Sequence, residues 1–191
     1  MSNAEEIFDN FSYRDYKNWD DGLRYELMHG EAFMMSAPDE RHHDLVTDIY
    51  SQLRSYILSN RPDNSHCKPF IAPFDVRLFP KEDESDDTVL QPDVFVVCDR
   101  RKLADGKACR GAPDFVVEVT SPSTKSMDLF NKKELYCKAG VKEYWVVGPN
   151  KIGSFVLKNG LYAETVYKGF SGEIEIPVSV LGACIIKLKL I

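Results

Sequence analysis

The chain reads as a single α/β domain over residues 1–191, a mixed sheet with helices packed against it. Three observations predict this. The first is a pair of short apolar, β-branched runs, Val94-Phe95-Val96-Val97 and Phe115-Val116-Val117-Glu118-Val119, bounded by turn residues as strands covered on both faces are. The second is a long amphipathic stretch, Asp39 to Leu58, in which Leu45, Ile49, Leu53, Tyr56 and Ile57 recur at helical spacing. The third is the order of the middle of the chain: helix, three strands, helix, strand. At 191 residues, 43% hydrophobic and 12% aromatic, the chain can bury a real core and is not disordered.

Near the start of the chain, Phe11 to Trp19 predicts a short helix with Ser12 as its N-cap. Arg24–His29 and Glu31–Met35 predict a hairpin turning at His29-Gly30. The long helix ends at Asn60-Arg61-Pro62. Ile71 to Phe79 predicts one strand with Phe74, Val76 and Leu78 on one side, and the acidic run from Glu82 to Asp87 a mobile exposed loop. After the strand that begins beyond Asp93, Asp99 to Ala112 reads as a loop or ragged helix. The Glu118 strand runs into Ser121-Pro122-Ser123-Thr124, whose Ser123 or Thr124 can cap a helix from Lys125 to Ala139 that Gly140 stops. Glu143–Val147 is a further buried strand. The remainder is β: Ile152–Leu157, a turn at Lys158-Asn159-Gly160, Leu161–Tyr167 and a last run near Ile185–Leu190.

No stretch approaches the roughly 20 apolar residues that span a bilayer, and the first residues carry no secretory signal, so a cytoplasmic location without a membrane partner is expected. Five scattered cysteines, with no CxxC pair, predict reduced thiols, Cys98 and Cys184 being small core residues. The net charge of −6 does not advertise nucleic-acid binding, but it is unevenly spread: −11 over residues 1–98, +4 over 99–142 and +1 over 143–191. A homodimer pairing the segment 99–142 would concentrate positive charge.

The chemistry centres on Asp93 and Glu118. A carboxylate in an apolar strand is costly to bury without a partner, and two on neighbouring strands would make a hard-oxygen site for Mg²⁺, or Mn²⁺. Thr124, Asp128, Lys132 and Tyr136 fall on one helix face directly after the Glu118 strand, so Lys132 can bring an ammonium to the carboxylates. Lys133 points about 100° away and is expected in solvent. Metal ligands beside a positioned cation are what phosphodiester hydrolysis needs.

These residues also resemble a family. Pro92-Asp93 with a glutamate in the next strand is similar to the PD-(D/E)XK, restriction-endonuclease-like superfamily. More closely, the stretch from Gln91 to Pro149 resembles the Uma family. The matching pieces are Gln91-Pro92-Asp93, Gly111-Ala112-Pro113-Asp114, Val117-Glu118-Val119 with Ser121-Pro122-Ser123-Thr124, Asp128, Lys132, Glu134-Leu135-Tyr136, Gly140-Val141 and Glu143-Tyr144-Trp145. Tyr25-Glu26-Leu27, Gly30-Glu31, Ser36, Pro38 and His42 resemble its N-terminal half. The resemblance implies a restriction-endonuclease-like core with an added N-terminal hairpin and C-terminal strands. It also implies a metal-dependent endonuclease acting on nucleic acid, DNA before RNA, with Asp93, Glu118 and Lys132 as catalytic residues. The superfamily places a lysine two residues after the glutamate. Here that residue is Thr120, which can hold a water but supplies no charge; the Uma pattern takes its lysine from the helix.

Around this centre, Glu26 is a third acidic ligand or a paired structural carboxylate. His42 orients water or phosphate, or faces solvent. Gln91 bonds substrate or satisfies backbone, and Asp128 pairs with Lys132 or acts directly. Glu31 is expected at the surface, Asp114 in a turn, and Tyr136, Tyr144 and Trp145 in the core. The competing function is a nuclease fold that has lost catalysis and serves as a nucleic-acid-binding or interaction module.

Overall fold

The computed structural model describes residues 10–60, 67–120, 128–168 and 172–189. The helices are α1 (Tyr13–Tyr16), α2 (Glu40–Ser59) and α3 (Lys133–Ala139), with a wide π turn, Asp128–Lys132, leading into α3. The strands are β1 (Tyr25–Met28), β2 (Glu31–Met34), β3 (Lys68–Ile71), β4 (Asp75–Arg77), β5 (Val89–Leu90), β6 (Val94–Val97), β7 (Ala108–Arg110), β8 (Phe115–Val119), β9 (Glu143–Val147), β10 (Lys151–Lys158), β11 (Leu161–Lys168), β12 (Glu173–Pro177) and β13 (Ile185–Lys189).

The expected order of helix, three strands, helix, strand is α2, β3, β6, β8, α3, β9. It builds a six-stranded sheet in the order β11-β10-β9-β8-β6-β3. Only β8 and β9 run parallel in it, because α3 carries the chain back across the sheet between them. A second sheet runs β2-β1-β5-β4-β7, and β12 and β13 pair alone.

Each face of the six-stranded sheet has its own core. On one face Leu45, Ile49, Leu53 and Ile57 of α2 meet Val94, Val96, Phe115, Val117, Val119, Trp145 and Val147, and the β12–β13 hairpin closes over them with Ile176, Ile186 and Leu188. On the other face Phe95, Val97, Val116, Tyr144, Val146 and Phe155 meet α3 and the second sheet through Leu135, Tyr136, Val76, Leu78 and Leu90. Asp39 caps α2 by accepting from the His42 amide at 2.8 Å, and Gly140 (φ 90°) ends α3 in the left-handed conformation that glycine adopts freely. Both predicted hairpin turns form, at His29-Gly30 and Asn159-Gly160, each with positive φ at both residues.

The structure corrects three expectations. The stretch 71–79 is not one strand: the chain leaves the first sheet at Ile71 and enters the second at Asp75, because Pro73 has no N–H with which to continue a ladder. The acidic stretch 82–87 is pinned rather than mobile. Asp86 is 1% exposed and accepts from Arg77 Nε at 2.8 Å, the Tyr13 and Arg14 amides donate to the carbonyls of Asp86 and Glu84, and Lys17 pairs with Glu84. Cys67 and Cys98 are not reduced but joined as a disulfide. The antiparallel register of β3 on β6, with Lys68 opposite Val97, makes residues 67 and 98 the next opposed positions. Cys184 is a buried free thiol, as expected. No helix among the described residues is long and apolar enough to cross a membrane.

Candidate active site

The antiparallel register of β6 and β8 sets the centre. Val94 lies opposite Val117, so Asp93 and Glu118 are the next opposed positions. Each is held by a different helix. Asp93 Oδ2 accepts from the Val119 amide at 2.8 Å, and its Oδ1 lies 3.1 Å from His42 Nε2 at the start of α2. The carboxylate thus replaces a ladder bond at the strand end and is turned toward α2.

Glu118 is 3% exposed and shares the face of Val116, which is the α3 side. Its Oε1 accepts from Lys132 Nζ at 3.0 Å and from the Tyr136 hydroxyl at 2.8 Å. Burial first, then the nearby Glu118 charge, raises Tyr136 well above the ordinary phenol range, so the hydroxyl keeps its proton and remains a donor. Lys132, 4% exposed, is also 3.0 Å from Glu26 Oε2. Glu26 Oε1 in turn accepts from the Gln91 amide at 2.8 Å. One ammonium therefore bridges two buried carboxylates from different sheets. Lys132, at the end of the π turn, brings its ammonium to the Glu118 carboxylate as the helical spacing predicts, and Tyr136, one turn later and in the core, donates to the same oxygen.

The Gln91 side chain bonds other side chains than the two carboxylates. Its Oε1 accepts from Arg24 Nε at 3.0 Å, and its Nε2 donates to Asp75 and to the Tyr16 hydroxyl, each at 2.9 Å. Its backbone amide seats Glu26, and its side chain ties Arg24 and α1 to β4. Thr120 is buried, and its amide donates to the Val147 carbonyl at 2.9 Å. It lines a cleft with Val146, Gly148, Pro149, Asn150, Lys151 and Gly153 rather than joining the carboxylates. Glu31 is exposed, as expected. Asp114 lies in the bend before β8, as expected, but is buried, accepting from the Cys98 amide at 2.7 Å and from Lys142 at 2.6 Å. Lys133 lies 4.2 Å from the Phe155 ring centre. The Asp128 side chain and the cap at Ser123 or Thr124 lie outside the described residues.

The basic residues of 100–110 sit between the end of β6 and the start of β8. That is the end of the sheet opposite Glu118, about 15 Å away along a strand of this length. Among the described residues of the positive segment, Lys132 is the cation that reaches the site.

No three His, Cys, Asp or Glu side chains converge as a metal cluster among the described residues. Two opposed carboxylates are nevertheless the kind of donor set that Mg²⁺ accepts, since it keeps waters and substrate oxygens for its remaining positions.

Comparison with known proteins agrees with the fold. Residues 13–185 match the Uma2 family, described as "Putative restriction endonuclease". A solved structure described as a putative nuclease belonging to DUF820, from Anabaena variabilis ATCC 29413, superposes with a TM-score of 0.66 at 14% identity, covering 90% of this chain and 91% of that one. None of the curated proteins matches.

Proposed function

This chain belongs to the Uma2 family, and from that membership and the site's geometry we propose that it is a Mg²⁺-dependent endonuclease hydrolysing phosphodiester bonds of nucleic acid, DNA in the first place. The observation that carries the proposal is the Lys132 ammonium, 3.0 Å from both Glu26 and Glu118 beside Asp93. A buried cation fixed before substrate arrives can meet the charge that develops on the phosphoryl oxygens without reorganising.

Asp93 and Glu118 would hold the ion, which supplies charge neutralisation at the phosphate and an acidified water. His42 fixes the Asp93 carboxylate, Glu26 and Tyr136 fix Lys132 and Glu118, and Lys132 orients the attacking water and stabilises the transition state. Mn²⁺ satisfies the same oxygen donors. A cytoplasmic location belongs to the same reading, as does a homodimer.

The test is nicking and linearisation of supercoiled plasmid with Mg²⁺, Mn²⁺ or EDTA, for the parent protein beside Asp93→Ala and Glu118→Gln. Cutting is expected only with metal, and to fall by about 10²-fold or more in each variant. Cutting that survives in both variants would overturn the assignment. A parent that neither cuts nor binds metal by calorimetry would be the inactive, binding-module form of the fold.

A further inference from the structure

A cleft next to the Glu118 row of the sheet ends in two lysines. Glu118 lies beside Val146, Val146 opposite Gly153, and Gly153 opposite Val166, one row across four strands. The next row toward the strand ends runs Thr120, Gly148, Lys151 and Lys168. Thr120 donates to the Val147 carbonyl, Gly148 donates to that of Lys151, and Lys151 lies directly opposite Lys168. Alternation along β10 puts Lys151 on the side of Gly153 and Phe155, the face that also carries Glu118.

Glycine leaves the floor of the cleft without side chains where the chain's own groups pack close. A Cβ at Gly153 would come within 3.0 Å of the Phe155 ring, and one at Gly148 within 3.3 Å of the Lys151 carbonyl. Thr120, Gly148, Pro149, Asn150, Lys151 and Gly153 line this cleft. Like charges directly opposed across strands are destabilising. Neither Lys151 nor Lys168 has a carboxylate partner among the described residues, whereas Lys142 and Lys187 each sit on one. Lys151 is half-buried and Lys168 exposed. An uncompensated cation pair at the catalytic end of the sheet, in an otherwise acidic chain, is complementary to a polyanion.

We propose that Lys151 and Lys168 bind the phosphate backbone of the substrate strand beyond the scissile bond, with the Gly148–Gly153 cleft as its bed. The inference rests on the nuclease reading of the Asp93–Glu118 site. Strands about 4.8 Å apart put the two lysines some 10 and 14 Å from β8. At roughly 3.4 Å of axial rise per nucleotide, that is about three to four nucleotides from the reacting phosphate.

The test is equilibrium binding of a fluorescein-labelled DNA duplex in EDTA, where the strand stays intact, as a function of salt. The parent is compared with Lys151→Ala/Lys168→Ala, with Lys151→Arg/Lys168→Arg, and with Arg100→Ala/Lys107→Ala at the opposite end of the sheet. The alanine pair should lose affinity by on the order of tenfold per lysine near 0.1 M salt and flatten the plot of log K against log salt by about 1.8. The arginine pair should keep both values, and the Arg100/Lys107 pair should match the parent. Parent-like affinity and slope in the alanine pair would overturn the inference, leaving Lys168 as a guard of the exposed edge strand β11. Equal loss in the Arg100/Lys107 pair would overturn it too, the attraction then being nonspecific. A parent that does not bind DNA overturns the nuclease reading and this inference together, an outcome distinct from the others.

Discussion

At the scale of single residues, the site is a problem of charge balance. Glu26 and Glu118 are both nearly inaccessible, at 4% and 3% exposure, and share Lys132 as a common cation. Desolvating a carboxylate costs several kcal/mol unless a partner compensates it. Lys132→Ala should therefore destabilise the protein by about 3–5 kcal/mol in urea denaturation, because two buried anions would then face one another. Adding Glu26→Gln to that variant should recover part of the loss, since only one anion remains and Tyr136 still donates to it. A Lys132→Ala protein as stable as the parent would mean that the ammonium holds nothing together. Legibility at this scale was uneven. Asp93 and Glu118 stood out because each charge borders or interrupts an apolar run, and Lys132 because it shares a helix face with Tyr136. The bond from the Val119 amide to Asp93 and that from the Gln91 amide to Glu26 left no trace in the sequence, because a backbone donor carries no residue signature.

At the scale of elements, β9 shows how a strand stores a titration. Glu143 is fully buried at its start, accepting from Trp145 Nε1 at 2.8 Å and from the Val180 amide at 3.0 Å. Burial raises its carboxyl above the usual range, and the two donors only partly offset this. The folded form thus keeps a proton that the unfolded chain has released, so the folded state binds more protons in that window. Stability should then fall as pH rises from the ordinary glutamate value, about 4.3, through the raised folded value. Glu143→Gln cannot titrate. Its urea midpoint should be lower overall, since glutamine keeps a single acceptor, but it should lack this part of the pH dependence. Parallel pH profiles for variant and parent would refute the assignment. The contact also explains a limit of sequence reading: Glu143 resembled an ordinary first residue of a strand until the turn at Ser179–Leu181 folded back onto it.

At the scale of the whole molecule, the second sheet is tied to the N-terminal helix by contacts between segments far apart in sequence. Arg77 of β4 reaches Asp86 in the acidic loop at 2.8 Å and lies 4.0 Å from the Tyr13 ring of α1, while that loop accepts the first amides of α1. This one buried pair links the N-terminal helix, the loop and the second sheet. Asp86→Ala would leave Arg77 charged and buried without its carboxylate, keeping only the Lys81 carbonyl and the Tyr13 ring, and should cost about 3–5 kcal/mol. Amide exchange should also accelerate in residues 13–17 and 81–88 together, as one unit. Exchange that quickens in the loop alone would show that α1 is held by its aromatic contacts instead.

The sequence by itself determined the elements that local physics controls. Period and caps set α2, alternation and turn glycines set the hairpins at His29-Gly30 and Asn159-Gly160, and burial of short β-branched runs set β6, β8 and β9. It also singled out the two acids and the lysine that the structure brings together at the candidate site. Only the tertiary structure decided which partners meet. Residues 71–79 split between two sheets, Cys67 met Cys98, the acidic loop was pinned by Arg77, and Glu26 from another sheet came to share a lysine with Glu118. The physical reason is that a strand's own residues fix which face they present, whereas pairing, register and long-range charge compensation depend on a neighbour that the local sequence does not contain.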